Sequence, residues 1–119
     1  MRISKIILIL VLSFSPFIHA EKTISISNGF VSGNTFIALD TVGKNIYSQG
    51  VIDGMLIAPM YGAPKLNLAV LEQCTKGMTG KQLVAIFNKY LKSNPEIWHE
   101  SMHTIIYRAM FEACNSYAN

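Results

Sequence analysis

Residues 79–114 read TGKQLVAIFNKYLKSNPEIWHESMHTIIYRAMFEAC. Two helices and a turn are written into this stretch. Thr79 followed three residues later by Gln82 is a capping box, in which the threonine hydroxyl and the glutamine amide each satisfy a backbone N–H the helix leaves free. Met78 and Leu83 flank it at the positions of a hydrophobic staple. Leu83, Ile86, Phe87, Tyr90 and Leu91 then recur at i, i+3, i+4, i+7 and i+8, one face of an amphipathic helix. Ser93-Asn94-Pro95 stops it. Asn94 can cap a new helix with Pro95 in its first position. That helix is expected to run from Pro95 to Cys114, with Trp98, Met102, Ile105, Ile106, Ala109, Met110 and Ala113 on its apolar face. A connection of about three residues makes the two helices an antiparallel hairpin.

The two cysteines of the chain, Cys74 and Cys114, fall at the open end of that hairpin. At 1.5 Å per residue the first helix is about 21 Å long and the second about 30 Å, so folding back carries Cys114 towards Cys74. An even pair in an exported chain is most simply a structural disulfide.

Export is read from the N-terminus. Arg2 and Lys5 precede an apolar run from Ile6 to Phe14, which continues past Pro16 to Ile18-His19-Ala20. Basic, apolar and small in that order is a secretory signal peptide, residues 1–20. A membrane anchor would need ~20 apolar residues without a break. No cysteine follows the cut to carry a lipid. Cleavage leaves 99 residues with eight basic and seven acidic side chains, net +1, against +3 for the whole chain. That balance offers no basic patch for nucleic acid or an anionic membrane. The expected compartment is the periplasm.

Residues 21–29 (EKTISISNG) read as a loose lead-in, and 30–119 as one small domain. A first helix is expected over Asn34–Thr41, burying Phe36, Ile37 and Leu39. Gly43 interrupts before a second, about Lys44 to Ala58. In that second helix Gly50, Gly54 and Ala58 lie four apart and form one narrow groove. Each helical glycine costs about 0.8–1 kcal/mol against alanine, and close approach of another helix is the expected offset. Gln49, Lys44 and Asp53 exclude a membrane seam of the Gly-x-x-x-Gly kind. Pro59 to Pro64 ends the helix. Lys65 to Glu72 fits either a short helix or a packed extended segment. The fold class is therefore all-α, a four-to-five-helix domain with one disulfide and a C-terminal helix hairpin.

Chemistry-bearing motifs are few. His99-Glu100-Ser101-Met102-His103 matches H-E-x-x-H, which on a helix places two histidines on one face for zinc and a glutamate as base. Here no third ligand is nominated, so His99 and His103 are weak metal candidates, with polar edges of an apolar stripe as the plain alternative. A Cys–His nucleophile needs a free thiol, and the disulfide consumes both. Asp40 and Asp53 read as solvated surface acids. Neither a catalytic residue nor a cofactor is expected. Methionines 55, 60, 78, 102 and 110 suit either an adaptable surface or the core.

One further pattern bears on function. Cys74-x3-Met78-Thr79-x2-Gln82-Leu83, Lys89-Tyr90-Leu91, Asn94-Pro95-Glu96, His99, Ala109 and Cys114 together resemble the Rap/Tai-type immunity proteins of type VI secretion systems. Gly33-Asn34-x-Phe36-Ile37 and Tyr47-x2-Gly50-Val51-x-Asp53-Gly54 fit the same pattern. The resemblance covers residues 30 to 114. It implies a periplasmic helical protein, with His99 on a structural helix, that binds and inhibits a peptidoglycan-cleaving amidase effector and forms a homodimer. Many relatives carry a second cysteine pair joining the first two helices, and Asp40 and the Tyr47–Ser48 region stand there in this chain. The pattern is also similar to the HdeA-type acid chaperones around Phe36 to Asp40, although only seven carboxylates are available to drive an acid switch. Partner contacts are expected from the irregular Pro59–Leu68 stretch, at Met60, Tyr61, Lys65 and Asn67.

Closing a loop of about 40 residues stabilises by roughly 4 kcal/mol in the chain-entropy picture. Cys114→Ser, or reductant on the wild type, is expected to lower the unfolding free energy by a few kcal/mol, read from a melt. A melt indifferent to reductant would show that the bridge has no structural role.

Overall fold

The structure is a computed structural model that describes residues 29–117; the side chains of Leu66 and Asn67 lie outside the description. The expected signal peptide and residues 21–28 of the lead-in also fall outside it. Five helices follow in order: α1 (Gly33–Ala38), α2 (Thr41–Ile57), α3 (Lys65–Thr75), α4 (Gly80–Ser93) and α5 (Met102–Ala113). Single 3-10 turns occupy Ala58–Tyr61, Pro95–Ile97 and Asn115–Tyr117. Among the described residues there is no strand, only an isolated bridge between Ser32 and Ser101. The all-α expectation holds. No described helix is long and apolar enough to cross a membrane.

Helix α4 forms as its pattern dictates. The Thr79 hydroxyl accepts from Gln82 N at 3.3 Å, and Thr79 N donates to Gln82 Oε1 at 2.8 Å. Leu83, Phe87 and Leu91 are buried, with Ile86, Tyr90 and the staple residue Met78 packed around them. Burying each such large apolar side chain stabilises by about 1.5–3 kcal/mol. Facing them are Met102, Ile105, Ile106, Ala109 and Met110 of α5, Ile52 of α2 and Phe36 of α1. Helix α2 crosses α4 so tightly at Gly80 that a Cβ there would overlap the amides of Asn45 and Gln49.

The disulfide is present between Cys74 and Cys114, with 5.6 Å between the Cα atoms. It joins the last turn of α3 to the end of α5. The undecided stretch from Lys65 is thus helical, and runs on through Cys74 to Thr75.

The first two helices depart in detail from expectation. Asp40 does not continue the first helix; its Oδ1 accepts from Gly43 N at 2.7 Å and caps α2. An aspartate N-cap is worth about 1 kcal/mol, and it starts α2 at Thr41 with Gly43 inside the first turn. Phe36 is fully buried, but Ile37 is exposed and Leu39 only half-buried. Ala113 of α5 is exposed as well. Gly50 and Gly54 have nothing within 4 Å of a built Cβ, so no described helix approaches that groove.

The last helix is the larger correction. It does not run from Pro95; a turn occupies 98–101 and α5 starts at Met102. The reason is long-range backbone pairing. A continuous helix would have Met102 N donate to Trp98 O. Instead Met102 N donates to Val31 O at 2.8 Å, and Trp98 O accepts from Asn34 N at 2.8 Å. Glu100 O accepts from Gly33 N at 3.1 Å. The first N–H groups of α1, which a helix leaves without partners, thereby consume the carbonyls an unbroken helix would have used. Asn94 does precede a new helical turn with Pro95 at its start, the 3-10 turn Pro95–Ile97, but its side chain closes α4 instead of capping that turn: Nδ2 donates to Tyr90 O, while Trp98 Nε1 donates to Leu91 O at 2.7 Å.

Gly33 makes this pairing possible. A Cβ there would stand 2.9 Å from Trp98 O and 3.0 Å from Trp98 Cα, both backbone atoms that cannot swing aside. Gly33→Ala is expected to destabilise by about 1–3 kcal/mol. Gly54→Ala, with open space around it, should stabilise by up to about 1 kcal/mol. Thermal melts of the two variants moving in the same direction would contradict this reading of the packing.

Candidate functional site

The features that the core does not use gather around the end of α2 and the last turns of α5. Helix α2 ends at Ile57 and tightens into the Ala58–Tyr61 turn, with Pro59 near its start. Gly62 closes it in the left-handed region at φ 92°, where its N–H reaches Pro59 O. Ala63 N donates to Ala58 O. Left-handed glycine with such bonds is the ordinary way to satisfy the last carbonyls of a helix. Because the turn is so tight, Met60 and Tyr61 project outward, 81 % and 85 % exposed.

Beside this turn α2, α3 and α5 leave a cavity of about 460 Å³. Met55, Pro59, Leu68, Leu71, Met110 and Phe111 are among its walls, and Cys114 lines it as well. Phe111 and Tyr107, four apart on α5, stand half-exposed or more at its mouth. Tyrosine, phenylalanine and methionine are the types enriched at protein interfaces.

Of the expected contact residues, Met60 and Tyr61 occupy the exposed turn, and Lys65 is exposed at the start of α3. Asn67 lies in the first turns of α3, with its side chain outside the description. Sequence reasoning missed Tyr107 and Phe111. The available signal was two aromatic residues at i and i+4 lying off the apolar stripe of an otherwise amphipathic helix.

The motif at 99–103 loses its premise. His99 is exposed in the turn before α5, and His103 lies in the first turn of the helix, so the two do not share a helical face. Glu100 is paired with Arg108 at 2.7 Å. The His103 ring packs against Gly29, where a Cβ would meet it at 2.7 Å. Among the described residues no three of His, Cys, Asp and Glu converge as metal ligands. Asp40 is committed to a helix cap, and Asp53 is exposed on α2. Burial raises the Tyr47 hydroxyl above its usual range, which keeps it neutral.

A disulfide-stapled helical domain with an exposed Met–Tyr turn beside an apolar cavity has the make-up of a binding protein. Comparison with known families places it more closely. The family model of the Rap1a immunity proteins matches residues 29–114, most of the chain, and this protein belongs to that family. Immunity proteins act by binding a cognate toxin, not by catalysis. No curated protein and no solved structure matches the chain.

Proposed function

We propose that this protein is exported through its N-terminal segment to the periplasm and there neutralises a peptidoglycan-cleaving amidase effector of type VI secretion. The Pro59–Leu68 segment occupies the active-site cleft of that enzyme and excludes substrate by bulk. The observation that carries this reading is the pair Met60–Tyr61. Two large side chains are held in solvent by a well-bonded turn, next to an apolar cavity, in a member of an immunity family. The disulfide adds support for the compartment, because such bonds persist where the surroundings are oxidising.

Capture of binding partners from periplasmic and secreted extract, with the disulfide formed, tests the function. A single stoichiometric partner whose cell-wall hydrolase activity is abolished on binding is the expected result. A spread of unrelated clients that grows at low pH would replace this reading with an acid chaperone. Against the purified partner, Met60→Ala and Tyr61→Ala are each expected to weaken binding at least about tenfold, in the range of interface anchors. Their melting temperatures should match the wild type, since both side chains are outside the core.

We also propose that the protein is a homodimer, with the outer face of α2 as its seam. Val42 and Ile46 are 64 % and 68 % exposed, and Gly50 and Gly54 continue that face with nothing packed against them. Gly54→Leu has room in the protomer and should fold normally. Its elution volume should shift to that of a monomer; an unchanged volume at equal concentration removes this seam.

A further inference from the structure

Helix α3 differs from the other long helices in how it is held. The fully buried core is formed by Phe36, Ile52, Leu83, Phe87, Leu91 and the apolar face of α5, and among the described side chains of α3 Cys74 alone joins it. Among the described side chains of α3, Cys74 is the one that is fully buried; Val70 and Leu71 are half-buried against the core. Beneath the helix lies the cavity of about 460 Å³. At its N-terminus stands Pro64, which offers no side-chain acceptor to the free N–H groups, in contrast to the capping box of α4. Gly62 and Gly77 bracket it, at φ 92° and 80°, and among the described residues these are the only two with positive φ. Glycine can take up large backbone rotations at such points. Eleven residues without a side-chain N-cap are marginal as a helix on their own.

We propose that α3 is a flap hinged at Gly62 and Gly77, and that the Cys74–Cys114 bridge is what holds it closed. The cavity and the Lys65–Leu68 rim then keep their place beside Met60–Tyr61 only while the bridge is oxidised. Opening requires a dithiol reductant. It donates two electrons and two protons to the Sγ–Sγ bond, leaves Cys74 and Cys114 as thiols, and becomes a disulfide itself. The same chain therefore lacks an ordered binding face before the bridge forms and acquires it on oxidation. This consequence rests on the reading of 59–68 as the contact segment, but the flap is measured with no partner present, so the two fail separately.

Amide hydrogen exchange by mass spectrometry, on protein purified from a periplasm and then compared with and without dithiothreitol well below the melting temperature, tests it. The expected result is that amides of residues 65–75 lose their protection after reduction and exchange at about the rate of free chain, while those of 80–93 and 102–113, although faster than in the oxidised protein, stay protected at least about a hundredfold. The double variant Cys74→Ser, Cys114→Ser should repeat the pattern without reductant. Unchanged exchange in 65–75 shows that packing holds the helix by itself. Loss of protection in all three segments together shows that the bridge staples the whole fold instead of a flap. Either result overturns the proposal.

Discussion

The backbone pairing of residues 31–34 with 98–102 is the constraint from which most of this architecture follows. Three hydrogen bonds, from Gly33, Asn34 and Met102, tie the start of the described chain to the middle of the C-terminal hairpin. Each such bond nets only about 0.5–1.5 kcal/mol. Their positional consequence is larger. They give α1 partners for its leading N–H groups, seat Phe36 in the core between α2 and α5, and force the chain after α4 to turn before it becomes helical again. Gly33 has to be glycine because the two backbones meet there without room for a Cβ.

The described helix caps and the exposed apolar features fall in different parts of the molecule. Helices α1 and α4 have side-chain caps, and α4 and α5 bury continuous apolar stripes. The side of α3 and the Met60–Tyr61 turn has a cavity, exposed aromatic residues and a covalent bridge. Binding surfaces are commonly drawn from the less stable parts of a structure, because side chains committed to a core cannot meet a partner. In a chain of this size a disulfide is an economical way to keep such a surface in place.

The titratable groups support binding over catalysis for local reasons. Asp40 is spent on a cap, Glu100 on Arg108, and both cysteines on the bridge. His99 and His103 are separated by the turn that the N-terminal pairing imposes. Met60, Tyr61, Tyr107 and Phe111 stand exposed beside the cavity, which suits contact with a protein surface through a few large anchors.

Sequence alone determined the elements whose signals are local. The capping box and the five-residue stripe of α4 specified that helix to its ends, since every bond involved lies within four residues. The turn at Pro59–Pro64 and the pairing of two cysteines were equally legible, as was the family pattern running from Gly33 to Cys114. Tertiary structure decided whatever depended on atoms far apart in the chain. The break before Met102 is set by carbonyls captured by residues some 65 positions earlier, which no window of sequence contains. The partners of the Lys65–Thr75 helix are likewise distant: Val70 and Leu71 pack against the core and Cys74 is bridged to Cys114. The exposure of Tyr107 and Phe111 followed from how α2, α3 and α5 meet around the cavity that both residues line. Local hydrogen-bonding and periodicity are written in neighbouring residues; which surface is left uncovered is known only once all five helices have been placed.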